Sequence, residues 1–261
     1  MDDPFAEPSD TRQAILGAAF RALCEHGYAN VTIKRIGDEF DKSQSLVYHH
    51  YDGKDDLLLD LLEFLLDQFE ASIADGSATD PPEAKEASEG DGPSWRGEAA
   101  AGGPTEMPPE AAFDRSAREQ LDGYLAAAVD PDSLDEAYAP DARFVTVMTE
   151  LRSQAANDEA YREHFDRSDR VFGAYLERIV REAAAEASRE DAAPSPGGPE
   201  AADADRSVAA SDVASTLQTF ATGGMFRWAT TNDRAWVAES RAGIDRYLEA
   251  VLPLVETDER S

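Results

Sequence analysis

Between Thr32 and Lys54 the chain gathers polar side chains that are good hydrogen-bonders: Thr32, Lys34, Lys42, Ser43, Gln44, Ser45, Tyr48, His49 and Lys54. Hydroxyls, an amide, an imidazole, ammonium groups and a phenol are the donor and acceptor types that meet phosphate oxygens and base edges. Gln44 carries the amide fork that pairs bidentately with adenine. Lysine usage sets this segment apart. The whole chain has four lysines, Lys34, Lys42, Lys54 and Lys85, against 20 arginines, and three of the four fall within residues 34–54. Such a cluster marks a place where positive charge is needed.

Other chemistry finds little support. There is no Gly-rich phosphate loop, no metal-ligand spacing and no nucleophile paired with a base, so no catalytic residues, cofactor or metal are expected. The four histidines are scattered at positions 26, 49, 50 and 164. His49 and His50 are adjacent, and neighbours on a helix point about 100° apart, too divergent to share one ion. Cys24 is the single cysteine, which rules out an internal disulfide and fits a reducing compartment. Its helical setting reads as a small side chain packed in a core.

The elements that must carry these groups read as helices throughout, and the expected fold class is all-α. Asp10, with Gln13 three residues on, reads as a cap opening a helix with Ile15, Ala18, Ala19, Ala22 and Leu23 on one face. His26-Gly27 ends it, with Gly as the cap. Thr32 can cap a short helix bearing Ile33, Ile36 and Phe40. A third helix runs from about Ser43 to Tyr51. A long one follows over Asp55–Ile73, apolar on nearly every side and therefore buried on more than one face. Two short helices joined by a tight turn, the second led by polar residues, form a helix-turn-helix, and the second helix enters the major groove. Leu46, Val47 and Tyr51 are expected to pack its small core.

This segment resembles the N-terminal domain of the TetR (tetracycline-repressor) family. The resemblance rests on Gly27-Tyr28, Thr32, Ile36-Gly37, Ser43, Tyr48-His49-His50-Tyr51, Lys54 and Leu57, and covers about residues 9–69. Asp41 and Lys42 stand where the family usually has Gly and an apolar residue in the turn. Asp tolerates the left-handed conformation that Gly supplies, and Lys42 can reach a phosphate. The resemblance implies a DNA-binding transcriptional regulator, with Tyr48 and Lys54 on phosphates. It implies a repressor released by a small-molecule effector, and a homodimer on a palindromic double-stranded operator. Activation, non-specific nucleoid-type binding, or a helical scaffold without DNA function are the other readings.

Residues 76–112 hold six Pro and six Gly and read as a linker or insertion, with Trp95 alone inside it. Residues 113–254 read as a helical ligand-binding and dimerisation domain interrupted by a flexible loop at 187–206. Its helices are expected at Phe113–Val129, Ala142–Gln154, Asp158–Ala187, Val208–Thr231 and Arg234–Leu252. Residues 148–180 and 220–252 resemble the C-terminal domains of the BetI-like group. Val213, Leu217, Phe220, Gly224 and Trp228 recur at helical spacing and suit a two-fold dimer contact. Phe113, Tyr124, Phe144, Met148, Phe172 and Tyr175 are the candidate effector contacts, although such stripes more often form core.

The charge is extreme, with 54 acidic and 24 basic side chains and a net charge of −30. The acid is spread along the chain: residues 1–70 carry 15 acidic and 6 basic groups, the remainder 39 and 18. Composition of this kind is expected of a salt-rich, haloarchaeon-like cytoplasm, where net charge maintains solubility. Residues 32–54 are neutral overall, a relatively positive island. The acidic start MDDPFAEPSD is unlike a signal peptide, and no segment reaches the ~20 apolar residues of a membrane span. A soluble cytoplasmic protein is expected.

Overall fold

The computed structural model describes residues 10–40, 44–74, 116–131, 142–191 and 208–255. The expected linker at 76–112 and most of the loop at 187–206 lie outside them, as do Lys42, Ser43 and Phe113. Among the described residues the secondary structure is helical, apart from one isolated parallel bridge between Val208 and Val255.

Helix α1 (Thr11–His26) starts where Asp10 accepts the Gln13 N–H at 2.9 Å. It stops at Gly27, whose φ of +70° is a backbone region that a Cβ disfavours. Helix α2 (Ile33–Asp38) is capped by Thr32, which accepts the Arg35 N–H at 3.2 Å. Helices α3 (Gln44–His50) and α4 (Lys54–Ala74) follow. Asp55 and Asp56 fall in the first turn of α4, where the helix dipole favours negative charge.

Helix α5 (Ala117–Val129) opens on a reciprocal capping box between Ser116 and Glu119. Helices α6 (Ala142–Gln154), α7 (Glu159–Asp191), α8 (Ala210–Thr230) and α9 (Ala235–Val251) complete the set, with a 3-10 turn at Leu252–Leu254. Helix α7 continues through Asp191, past the expected end at Ala187. At about 1.5 Å per residue its 33 residues span roughly 50 Å.

Two apolar cores lie along α7. The first joins α1, α2, α3 and α4 through Ile15, Leu16, Leu23, Ile36, Val47, Leu57, Leu58 and Leu61. It is completed by Val147 and Leu151 of α6 and by Tyr161 and Phe165 of α7. The second joins α5, α7, α8 and α9 through Leu121, Val129, Leu176, Val180, Val213, Leu217, Trp228 and Leu248. The N-terminal half of α7 therefore finishes one core and its C-terminal half the other.

The apolar row on α8 has a different role from the one its spacing suggests. Val213, Leu217, Gly224 and Trp228 are buried within the chain's own core, with Phe220 packed partly against it. A Cβ added at Gly224 would sit 2.4 Å from Val129 Cγ1 and 3.6 Å from the Ala128 carbonyl oxygen. That glycine lets α8 approach α5 closely, and the row is not available to a second copy. A Cβ at Gly223 would meet open space. The outer face of α8 instead presents Thr219, Gly223, Phe226 and Thr230, with Phe226 57% exposed. A row at core spacing packs against whichever apolar surface is nearest, and α5 and α7 of the same chain supply it.

Candidate nucleic-acid interface

Helix α3 divides cleanly into two faces. Val47 and Tyr51 turn inward, with exposures of 0% and 7%, and Leu46 is partly buried against the same core. Ser45, Tyr48 and His49 turn outward at i, i+3 and i+4, so they share one exposed face. Tyr48 is 62% exposed, and a phenol left this open is not a core aromatic. His50 is also exposed. Gln44 begins the helix. Thr32 and Lys34 are exposed on and just after the cap of α2.

The helix is held from behind. Tyr51 Oη donates to Asp60 Oδ2 at 2.6 Å, and Asp60 also pairs with Arg12 of α1. Burial by itself would raise the Asp60 carboxyl. Hydrogen bonds from Arg12 and Tyr51 and the charge of Arg12 outweigh it and hold the group below its ordinary value. Burial and the Asp60 contact push the Tyr51 phenol up. These ties anchor the end of α3 to α1 and α4.

Lys54 is half-buried at the start of α4. Its Nζ donates to the Tyr28 carbonyl at 3.2 Å and lies 3.8 Å from the centre of the Tyr28 ring. Tyr28 Oη donates to Asp55 Oδ1 at 2.9 Å, and burial followed by this bond pushes the phenol up to about 12. Sequence reasoning missed Asp55 here, and Glu150 of α6, whose carboxylate accepts the Tyr28 N–H. Each owes its role to a partner far along the chain, a relation that local spacing does not carry.

The candidate effector contacts divide between the two cores. Phe144 and Met148 pack against the first, Tyr124 and Tyr175 against the second. Phe172 stacks on Phe69 of α4 with ring centres 4.5 Å apart, and Tyr175 meets the same ring edge-on at 5.3 Å. Burial, then the nearby Asp169 carboxylate, push the Tyr124 phenol up to about 12. Two surface cavities of about 350 and 260 Å3 are lined by other residues, among them Gln120, Arg181 and Glu186 in one and Arg118, Phe220 and Arg241 in the other. Among the described residues no group of His, Cys, Asp and Glu is arranged to hold a metal ion.

Residues 15–61 match the family model described as bacterial regulatory proteins, tetR family. Within these residues the chain is similar to the TetR family. The transcriptional repressor AcnR of Corynebacterium glutamicum is 38% identical over 55 residues, 21% of this chain and 29% of that protein. The regulator HbdR of an Aromatoleum species is 36% identical over 64 residues, 24% of this chain and 28% of its own length. The chain thus spans under a third of the curated relatives it matches. A solved TetR regulator from Haloarcula marismortui carries the likeness further. It covers 94% of this chain and 99% of its own at 25% identity, with a TM-score of 0.56.

Proposed function

We propose that the chain is a sequence-specific DNA-binding transcriptional regulator, a repressor released by a small-molecule effector. The observation that carries this reading is the outward face of α3, where Ser45, Tyr48 and His49 stand exposed while Val47 and Tyr51 lock the opposite side into the core. Under this reading the leading residues Lys42, Ser43, Gln44 and Ser45 meet base edges in the major groove, and Tyr48, Lys54, Thr32, Lys34 and His49 meet phosphates or groove walls.

Two copies pair through the outer faces of α8 and α9, which sets the two recognition helices about one DNA turn apart on a palindrome. The effector contacts lie among Tyr124, Phe172 and Tyr175, with Phe144 and Met148 nearer the DNA-binding half. An effector that binds one spacing of the dimer better than the other shifts the population away from the operator. The even spread of acid along the chain and its likeness to the Haloarcula protein support a salt-rich cytoplasm as its setting. No helix among the described residues is long and apolar enough to cross a membrane.

Selection of bound genomic fragments at high KCl tests the proposal. A single discrete palindrome is the expected result. Uniform recovery of random duplex means non-specific binding, and no recovery rejects a DNA role.

A further inference from the structure

We propose that Glu150 is a positioning residue for DNA recognition: from α6 it holds the Gly27-Tyr28 turn and, through Tyr28, sets Lys54 and the start of α4 behind the recognition helix. The inference rests on the reading of α3 as the DNA-contacting element.

Where α1 ends, the Gly27 N–H goes to Leu23, and the Tyr28 N–H turns away from its own helix to donate to Glu150 Oε2 at 2.5 Å. A carboxylate accepting a backbone N–H is among the stronger hydrogen bonds a fold makes. The same carboxylate lies against the Gly27 α-carbon, so a Cβ there would come within 3.1 and 3.2 Å of its two oxygens. Glycine at this position therefore serves both the positive φ and the seat of Glu150.

Tyr28 passes the constraint on. Its carbonyl accepts from Lys54, its ring lies under the Lys54 ammonium, and its hydroxyl donates to Asp55. The Asp55 Oδ1 that Tyr28 engages also receives Tyr161 Oη of α7 at 3.3 Å. Two helices of the C-terminal half thus converge on one tyrosine and the first turn of α4. Lys54 follows the last residue of α3 by four positions, and Tyr51, next after α3, is tied to α4 by its hydroxyl bond to Asp60. Movement of α6 relative to α1 must either break the Glu150 bond or carry the turn with it. Pre-ordering of this turn lowers the ordering cost when Lys54 and α3 meet a duplex.

Full-length wild type, Glu150→Ala, Glu150→Gln and Tyr161→Phe are compared on a labelled duplex recovered by genomic selection, alongside hydrogen exchange of the peptide containing Tyr28. Glu150→Ala is expected to bind about tenfold more weakly and to exchange faster at Tyr28, with α8 and α9 unchanged. Glu150→Gln, whose amide oxygen still accepts the Tyr28 N–H, stays within about threefold of wild type. Tyr161→Phe shows a smaller loss of the same kind. Operator binding by Glu150→Ala within about twofold of wild type overturns the proposal, and so does an equal loss in the Ala and Gln variants. Faster exchange throughout α8 and α9 also overturns it, since that marks general destabilisation. A wild type without preference for the selected duplex strikes the DNA reading itself; the exchange difference between Ala and Gln then reports the tie separately.

Discussion

Tyr48 is the side chain whose removal tests the proposed recognition face apart from folding. It lies 62% exposed on α3 and makes no part of the core, so Tyr48→Ala is expected to leave thermal unfolding within about 0.5 kcal/mol of wild type. Operator affinity should fall by about tenfold or more, as measured by anisotropy on the selected duplex. Unchanged affinity would remove Tyr48 from the interface. Asp60 shows the opposite pattern, since its carboxyl is held low by Arg12 and Tyr51. A lowered folded-state pKa contributes stability that is fully present above the unfolded value near 3.9 and is lost as pH falls through the folded value. Asp60→Asn is therefore expected to lower stability at neutral pH and to flatten the acid limb of the stability profile. Denaturant unfolding at pH 7 and between about pH 4 and 2 checks the sign. The outward placement of Tyr48 was legible in the sequence, because the apolar Leu46, Val47 and Tyr51 claim the other side of a short helix. Lys54 was legible as a cation but not as the cap on the Tyr28 ring.

At the scale of elements, the contact between α5 and α8 is set by one missing side chain. Gly224→Ala puts a Cβ 2.4 Å from Val129 Cγ1, so the helices must part or Val129 must change rotamer. Overpacking of this kind costs about 1–3 kcal/mol. Gly223→Ala, with open space around it, is expected to be neutral or slightly stabilising, because Ala favours the helix over Gly by about 1 kcal/mol. Thermal unfolding of the two variants distinguishes them, and equal effects would contradict the assignment of Gly224 to the intrachain contact. Both glycines look alike in sequence, and helical periodicity marks only which residues share a face. What that face meets is fixed by packing.

For the whole molecule, the first core matters most. Val147, Leu151, Tyr161 and Phe165 come from α6 and α7 yet close the hydrophobic cluster of α1–α4. Burying a side chain of this size contributes about 1.5–3 kcal/mol, and a domain of about 60 residues has little stability to lose. A fragment ending at residue 74 is expected to lack a cooperative unfolding transition under conditions where the full chain has one. Circular dichroism melts of both decide it, and a sharp transition in the fragment would show the domain to be autonomous. The net charge of −30 bears on the same scale. With residues 32–54 neutral overall, few counterions are released on binding. Operator affinity is expected to fall only shallowly as KCl rises to molar concentration, and a titration as steep as that of a strongly basic repressor would contradict this.

The sequence by itself determined the helical class, the caps at Asp10, Thr32 and Gly27, and the inward side of α3 at Val47, because these depend on neighbours within a turn or two. Tertiary structure alone decided that the row on α8 belongs to the chain's own core. It likewise decided that α6 and α7 finish the DNA-binding half, and that Glu150 reaches a turn 122 residues away. Periodicity assigns a residue to a face, but the partner of that face depends on how the helices pack, and that is a property of the folded chain.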